Sequence, residues 1–322
     1  MLYNRHVKNV LVTGAAGFLG SYLVEHHLSK GDKVYGVDNF SSSSSSSRHH
    51  RNLCGNKDYA FSAVDITSER FVQLYSHVNF DLIYNFACPA SPPRYQEIPI
   101  ETMMTCVAGT NNVLSLAKRS TIVVHASTSE VYGDPSVSPQ PEHYRGSVNS
   151  YGPRACYDEG KRAAEALCYD HLTKHGVDAR LVRIFNTYGP RMDPDDGRVV
   201  TNLVGQALRS QPLTIYGDGS QTRSFCYVTD LIRGVVALGT LPSNPGTPIN
   251  IGNPVEFNIL ELAEKVQARL GGEIKFRPLP VDDPLQRKPD ISLAKKHLDW
   301  SPSVDLDTGL DRVIDYMRLF NV

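Results

Sequence analysis

The sequence has no excess of either charge, because 33 lysines and arginines stand against 34 aspartates and glutamates. Such a balance gives no overall field that attracts nucleic acid or an anionic membrane, so local groups must hold any anionic ligand. Long apolar runs are also missing, since Lys8, Asn9 and spaced glycines interrupt the stretch from 7 to 24. We therefore expect a cytoplasmic protein with neither nucleic-acid nor membrane partners.

Cysteine is scarce, with six residues in 322, and no C-x-x-C pair or metal-like spacing with the eleven histidines occurs. We expect no metal site, and thiols that are reduced and mostly buried. Apolar residues make up 41% of the chain, which is enough to form one large or two modest domains.

Short β-branched runs alternate with helical stretches in the first part of the chain. The runs begin at Val10, Val34, Leu82, Ile122 and Leu181. Helices are predicted at 17–30, 98–119 and 151–175, the last beginning near Pro153. The alternation predicts an α/β fold with a doubly wound, Rossmann-like parallel sheet.

Beyond Gly189 the predicted elements become shorter, and proline and glycine become more frequent. This change predicts a smaller C-terminal α/β domain built partly from loops. We place the first domain at 1–188, with 225–252 returning to it, and the second at 189–224 with 253–322. The serine tract from Ser41 to Ser47 cannot pack a core, so we expect a mobile surface loop there.

Gly14, Gly17 and Gly20 follow the first strand and open the first helix. Glycines in this context permit a tight turn and close approach of the backbone to a pyrophosphate. Asp38 ends the second strand, where a carboxylate accepts hydrogen bonds from ribose hydroxyls and repels a 2′-phosphate. The carboxylate therefore favours NAD over NADP, whereas the basic residue Arg48 argues against this preference. The alternative for Asp38 is an ordinary carboxylate in a strand-end turn.

Tyr157 and Lys161 are four residues apart and share a face of the third predicted helix. The ammonium favours the phenolate, which is then a base near neutral pH if a hydroxyl such as that of Thr128 binds the same substrate oxygen. The same spacing also occurs by chance on amphipathic helices.

Four longer motifs accompany these residues, at 87–92 (ACPASP), 127–134 (STSEVYGD), 156–162 (CYDEGKR) and 217–223 (GDGSQTR). With them the chain resembles the extended short-chain dehydrogenase/reductase superfamily over nearly its whole length, and within it the UDP-glucuronate decarboxylases. Two features depart from that pattern. Cys106 stands where relatives usually carry Asn, and the serine tract stands where they carry a basic turn with glycine.

The resemblance implies that Tyr157 takes the proton of the sugar 4-hydroxyl while NAD⁺ accepts hydride from the same carbon. The resulting β-keto acid loses CO₂, and Thr128 and Tyr157 donate to the enolate oxygen. Return of hydride converts UDP-glucuronate to UDP-xylose with NAD recycled. Ser129 replaces the Asp with which 4,6-dehydratases expel a hydroxyl group, and it suits decarboxylation better.

Glu130 is a candidate for ordering water or delivering a proton, the alternative being a strand-end carboxylate satisfied by backbone. The resemblance places Arg287 beside the substrate, on either its carboxylate or its diphosphate. The implied catalytic set is Thr128, Ser129, Glu130, Tyr157, Lys161 and Arg287.

The resemblance also implies that 1–188 with 225–252 is an NAD-binding domain and that 189–224 with 253–322 is a nucleotide-sugar-binding, or substrate-binding, domain. Two binding sets go with it. The NAD set is Gly14, Gly17, Phe18, Leu19, Gly20, Asp38, Asn39, Asp65, Ile66, Phe86, Ala87, Thr105, Ser127, Tyr157, Lys161 and Thr187. The substrate set is Asn112, Asn186, Arg198, Val200, Tyr216, Arg223, Arg287 and Asp290. Within these sets, Asp65 and Ile66 end the third strand beside the adenine, unless Asp65 caps a helix. Tyr216 either stacks on uracil or packs a strand, and Asp290 binds the ribose.

Three other functions remain open at this point. Two are enzymes of the same superfamily, a UDP-sugar 4-epimerase and a nucleotide-sugar 4,6-dehydratase. The third is a redox-silent module that binds NAD without catalysis, against which Thr128, Tyr157 and Lys161 argue. The resemblance further implies a homodimer that pairs the helices predicted at 98–119 and 151–175.

Overall fold

A computed structural model describes residues 6–42, 46–279 and 286–319. Its strands are β1 Asn9–Thr13, β2 Lys33–Asp38, β3 Tyr59–Ala63, β4 Leu82–Asn85, β5 Ile122–Thr128, β6 Asp178–Ile184, β7 Thr187–Tyr188, β8 Leu213–Tyr216, β9 Thr222–Ser224, β10 Cys226–Tyr227, β11 Ile249–Ile251, β12 Glu256–Asn258, β13 Ile274–Arg277 and β14 Gln286–Arg287. Its α-helices are α1 Phe18–Ser29, α2 Ser46–Leu53, α3 Glu69–Tyr75, α4 Pro92–Glu97, α5 Pro99–Met104, α6 Thr110–Ser115, α7 Ala155–His175, α8 Val199–Leu208, α9 Val228–Thr240, α10 Ile259–Leu270, α11 Ser292–Leu298 and α12 Leu306–Leu319.

Seven parallel strands form the central sheet in the order β11-β6-β5-β4-β1-β2-β3. Val10, Leu11 and Val12 of β1 are fully buried, as expected for a parallel strand with helices on both faces. The doubly wound fold predicted from the alternation is therefore confirmed. The strand order reverses between β1 and β4, and in such sheets ligands bind in the crevice beyond the carboxyl ends of the strands at this point.

The C-terminal part of the chain adds smaller sheets beside this crevice. Strand β8 pairs with β13, and β9 pairs with β12 and β14. The buried core is continuous between the two parts, because the Trp300 indole packs in the same cluster as β1 and donates to the Asp230 carbonyl at 2.9 Å. The division into two domains stays a prediction. Within the described ranges, no helix has the length and hydropathy that a bilayer crossing requires.

The helix predicted at 98–119 is interrupted, which corrects the expectation of one continuous helix. Between α5 and α6 the residues Thr105–Gly109 form a π-helical turn. A Cβ on Gly109 would lie 2.6 Å from the Ile66 side chain, so this backbone packs too closely against its neighbour for a larger residue. Single π-turns inside helices are often found at functional sites.

The helix predicted at 151–175 begins at Ala155, so Pro153 precedes it instead of opening its first turn. A proline disfavours helical dihedral angles at the residue before it, here Gly152, and residues 151–154 form turns. The carbonyl of Arg154 accepts hydrogen bonds from the N–H groups of Tyr157 and Asp158 at 3.0 Å. The start of α7 is therefore fixed directly beside Tyr157.

The expectation of a loop over the whole serine tract is also wrong at its end, because Ser46 and Ser47 begin α2; Ser43 to Ser45 lie outside the described residues. Tertiary packing overrides the weak helix propensity of serine here. The buried His50 imidazole, one turn further along α2, contacts the Tyr59 hydroxyl at 3.1 Å and holds the helix on β3.

Candidate active site

A cavity of about 620 Å³ opens where β1 and β4 diverge and extends to the C-terminal sheets. Its volume lies within the range usual for ligand pockets. The residues predicted from sequence that line it are Gly14, Gly17, Phe18, Leu19, Gly20, Asp38, Asn39, Asp65, Ile66, Phe86, Ala87, Thr105, Ser127, Thr128, Ser129, Glu130, Tyr157, Lys161, Asn186, Thr187, Arg198, Val200, Tyr216 and Arg223. The predicted residues thus meet in one place, with the three exceptions described below.

The glycine-rich turn forms the wall at the start of α1. Gly14 has φ +71°, and a Cβ there would lie 2.8 Å from the Phe86 carbonyl oxygen. A Cβ on Gly20 would lie 1.9 Å from the Gly14 oxygen, so only glycine allows the helix to start so close to the strand. Gly17 precedes α1 and has no side chain with which to cap the first N–H groups of this helix. The helix begins at the cavity wall. This arrangement suits a pyrophosphate.

Asp38 lies at the end of β2 beside this turn. Its Oδ2 accepts a hydrogen bond from the Ala16 N–H at 3.0 Å, and its Oδ1 accepts one from the Phe40 N–H at 2.8 Å. Burial raises the pKa of the Asp38 carboxyl, and these two N–H groups oppose the rise. The carboxylate is thus fixed at the cavity wall, where a ribose would bind to the fingerprint.

Asp65 lies two residues beyond Ala63, the last residue of β3, and not at the strand end as expected. Its Oδ2 accepts from the Asn39 amide at 2.7 Å, and its Oδ1 accepts from the Thr67 N–H at 2.8 Å. The alternative role as a helix cap is wrong, because the Ser68 hydroxyl caps α3. Asp65 instead holds Asn39 at the cavity.

Tyr157 and Lys161 lie on one face of α7, as their spacing predicts. The Lys161 Nζ is 5.8 Å from the centre of the Tyr157 ring and donates to the Ala126 carbonyl at 2.8 Å. Thr128, at the end of β5, is a hydrogen-bonding partner of the Tyr157 hydroxyl. The Tyr95 ring, which sequence reasoning missed, stacks on Tyr157 with centres 5.0 Å apart.

Burial acts against the phenolate that the spacing of Tyr157 and Lys161 favours. It raises the pKa of Tyr157 well above its ordinary value, Cys88 raises it further, and the hydrogen bond with Thr128 opposes the rise. Desolvation of the phenol thus dominates at this position.

Glu130 follows β5 in a short 3₁₀ turn and is the most strongly paired carboxylate of the site. Burial alone would raise its pKa, but Arg287, Arg154 and Arg223 together lower it to about 2. The Glu130 Oε2 accepts from the Arg154 Nη2 at 2.6 Å and from the Arg287 Nη2 at 3.0 Å. Arginines, not backbone groups, therefore satisfy this carboxylate. Because it stays ionised at neutral pH, it can order water but is a poor proton donor.

Arg154 was missed by sequence reasoning, although its place three residues before Tyr157 on the same helical start was a usable signal. Its Nε also lies 3.8 Å from the Asp158 carboxylate. Burial raises the pKa of Asp158 to about 7, with the Glu130 charge adding to the rise. Arg154 thus serves two buried carboxyl groups at once.

In the described part of the chain, the lining of the cavity does not include Arg287, Asp290 and Asn112, and their contact with substrate stays a prediction. The buried Arg287 guanidinium donates to the Gly133 carbonyl at 2.7 Å and reaches the cavity only through Glu130. Asp290 accepts from the Ser292 N–H at 2.8 Å, and Asn112 donates to the Ile66 carbonyl at 2.9 Å. Both side chains are therefore hydrogen-bonded to backbone groups of the protein.

The substrate half of the cavity carries two further arginines. Arg198 is paired with Asp196, its Nη2 lying 2.9 Å from the carboxylate, and Arg223 is almost fully buried on β9. Tyr216 keeps 44% of its surface exposed at the cavity rim, so its ring is open to a stacking partner. Planar guanidinium groups are well suited to phosphate oxygens.

Residues 10–252 match the family described as NAD dependent epimerase/dehydratase. UDP-glucuronic acid decarboxylase 1 of Xenopus tropicalis is 47% identical over 314 residues, which are 97% of this chain and 72% of that protein. UDP-glucuronic acid decarboxylase 4 of Arabidopsis thaliana is 48% identical over 318 residues, covering 98% of this chain and 69% of that protein.

Solved structures share the fold at lower identity. UDP-glucuronic acid 4-epimerase from Bacillus cereus, solved with UDP-glucuronic acid and NAD, has a TM-score of 0.86 and 30% identity over 97% of this chain and 99% of its own. UDP-glucose 4-epimerase from Thermotoga maritima, solved with UDP-glucose, has a TM-score of 0.87 and 26% identity with the same coverage of both chains.

Proposed function

Because the chain belongs to the NAD dependent epimerase/dehydratase family, we propose that it converts UDP-glucuronate to UDP-xylose and CO₂. NAD is its cofactor, and the close contact of Gly14 with Gly20 together with Asp38 provides a cradle that fits the dinucleotide. When bound, NAD supplies reversible oxidation at C4 of the sugar. The observation that carries the proposal is the Ser129-Glu130 pair with its two arginines, set beside Tyr157 and Thr128.

The residues of the chain have separate tasks in this reaction. Tyr157 takes the 4-hydroxyl proton, and the positive charge of Lys161, 5.8 Å from the centre of its ring, favours the phenolate against the cost of burial. Oxidation at C4 makes the uronate a β-keto acid, which loses CO₂ readily. Thr128 and Tyr157 then donate to the enolate oxygen at C4.

Glu130 acts on the water that returns a proton to C5. Since Arg154 and Arg287 keep it ionised, it accepts a hydrogen bond from water and orients it without giving up a proton itself. The Ser129 hydroxyl lies 3.5 Å from the other carboxylate oxygen of Glu130 and helps to orient this carboxylate. Arg287 therefore positions Glu130 and does not hold the sugar carboxylate directly.

The rival activities are disfavoured at the same positions. A 4,6-dehydratase needs an acid to expel the 6-hydroxyl, and neither the Ser129 hydroxyl nor the ionised Glu130 is one. A 4-epimerase must retain the carboxylate, whereas the curated relatives at 47–48% identity are named as decarboxylases. An NAD-binding module without catalysis would not require Tyr157, Thr128 and Lys161 to lie together at one buried place.

We further propose that Arg198, Arg223 and Asn186 bind the diphosphate, that Val200 lies against the nucleotide and that Tyr216 stacks on uracil. All five line the substrate half of the cavity. We also propose the two domains expected from the sequence, 1–188 with 225–252 and 189–224 with 253–322, which the origin of four of these side chains in residues 189–224 supports. A cytoplasmic location stays a prediction from the sequence.

We also propose a homodimer in which α5 and α7 pair with the same helices of a second copy. These helices pack against each other, and their outer faces expose Ile100 (74%), Met104 (48%) and Tyr169 (65%). Exposed apolar side chains on two packed helices support an association surface here, and a two-fold axis would bring the same helices of two copies together.

Mass spectrometry of the product tests the activity. Incubation of the protein with UDP-glucuronate and NAD⁺ is expected to give UDP-xylose with release of CO₂, and Tyr157→Phe should give neither. UDP-galacturonate without gas release would contradict the proposal in favour of epimerisation. A product that has lost water would identify a dehydratase instead.

Arg287→Ala is expected to reduce kcat for CO₂ release by about tenfold to about a hundredfold. The reason is that a hydrogen bond to a charged group contributes about 1.5–3 kcal/mol, and each 1.4 kcal/mol changes a rate about tenfold. The KM for UDP-glucuronate should change little, because Arg287 acts through Glu130. Arg70→Ala, at an exposed site on α3, is the control. Wild-type kcat, or a loss confined to KM, would contradict the assignment.

Light scattering at micromolar concentration tests the dimer. The wild-type protein should have twice the mass of one chain, and Ile100→Glu should shift it to the monomer because a charge would be buried in the interface. Val255→Glu, at a similarly exposed apolar site outside these helices, should remain dimeric. A monomeric wild-type protein would refute the proposal.

A further inference from the structure

Two thiols lie close together beside the helix that carries Tyr157. The Cys88 Sγ lies 3.3 Å from the Cys106 Sγ, although eighteen residues separate them in sequence. Cys88 follows β4 and lines the cavity, whereas Cys106 is fully buried in the π-helical turn after α5. All six cysteines lie within the described residues and are free thiols.

This pair touches the helix that carries the catalytic residues. A Cβ on Gly160 would lie 3.2 Å from the Cys106 Sγ, so Cys106 packs against the α7 backbone between Tyr157 and Lys161. The charge of Cys88 affects the pKa of Tyr157, and the charge of Lys161 affects that of Cys88. The thiols and the catalytic groups therefore share one electrostatic environment.

The two thiols are not equivalent. The hydrogen bond with Cys106 lowers the pKa of Cys88 to about 7, burial opposes this, and Lys161 lowers it further. The same contact raises the pKa of Cys106. Cys88 is also the thiol that lines the cavity, whereas Cys106 is fully buried, so Cys88 is the one that a small molecule can reach. Reactive cysteines have this character, with a second thiol poised to resolve the first oxidation product.

We propose that Cys88 and Cys106 form a redox-sensitive modification site whose oxidant is a hydroperoxide. The Cys88 thiolate attacks the peroxide, the O–O bond breaks, and a sulfenic acid forms with release of hydroxide. The Cys106 thiol then attacks the sulfenic sulfur, expelling water and leaving a Cys88–Cys106 disulfide. Two thiols are oxidised, and one hydrogen peroxide is reduced to two waters.

Closing this bond changes the cavity wall at Cys88. The sulfur atoms must approach from 3.3 Å to about 2.05 Å, so Cys88, Cys106 or both must shift. Cys88 is the third residue after β4 and directly follows Phe86 and Ala87 in sequence. The N–H groups of these two residues both donate to the Thr13 hydroxyl. Because a displacement of about 1 Å can cost about a hundredfold in rate, we expect the disulfide form to lose activity at least about tenfold.

Peroxide treatment of the reduced full-length protein tests the site. Thiol titration of the denatured product should show two fewer of the six free thiols, and peptide mapping without reduction should join the Cys88 and Cys106 peptides. CO₂ release should fall at least about tenfold and return with dithiothreitol. The thiol titration does not depend on which nucleotide sugar is the substrate, so it stands even if the proposed activity fails.

Three variants separate the site from general oxidation. Cys106→Ser and Cys106→Ala should prevent both the disulfide and the reversible loss of activity, and either suffices if the other does not fold. Cys54→Ser removes the exposed thiol and should leave the disulfide and its effect intact. An unchanged thiol count, a disulfide that joins other cysteines, an unchanged rate in the disulfide form or full peroxide sensitivity without Cys106 would each overturn the proposal.

Discussion

One buried ion pair network connects the parts of this site. Glu130 follows β5, Arg154 precedes α7, and Arg287 lies on β14 in the C-terminal part of the chain, yet all three meet at a single carboxylate oxygen. Removing one partner from such a group leaves an uncompensated charge and typically costs about 3–5 kcal/mol. The network therefore fixes the C-terminal strands against the central sheet at the place where the chemistry occurs, and it keeps Glu130 anionic.

Tyr157 is governed by the opposite constraint. It is buried beside Lys161, Thr128 and the Tyr95 ring, and desolvation raises its pKa, so burial favours the neutral phenol. The site thus combines a carboxylate that its arginines keep ionised with a phenol whose proton is held by burial, and the two groups have separate tasks in ordering water and in proton abstraction.

The parts of the site that depend on residue spacing within a short stretch of sequence could be predicted. The glycine turn with Asp38, and the shared helix face of Tyr157 and Lys161, depend on a few neighbouring residues and on regular geometry. The pairing of Glu130 with Arg154 and Arg287 joins residues 24 and 157 positions apart, which no local pattern encodes. The π-turn and the occupied side chains of Asn112 and Asp290 likewise follow from tertiary packing. Spacing reveals that Lys161 neighbours the Tyr157 phenol, but it does not reveal how deeply that phenol is buried.

The central claim is that the sugar is oxidised at C4 before CO₂ leaves, and that the same hydrogen then returns to C4. UDP-glucuronate labelled with deuterium at C4 tests it most directly when turned over in ordinary water. In single turnovers the account predicts that the label slows CO₂ release, because the C4–deuterium bond must break before decarboxylation, and that the UDP-xylose formed keeps deuterium at C4. CO₂ release at the unlabelled rate, or UDP-xylose that has lost its C4 label to solvent, would contradict it.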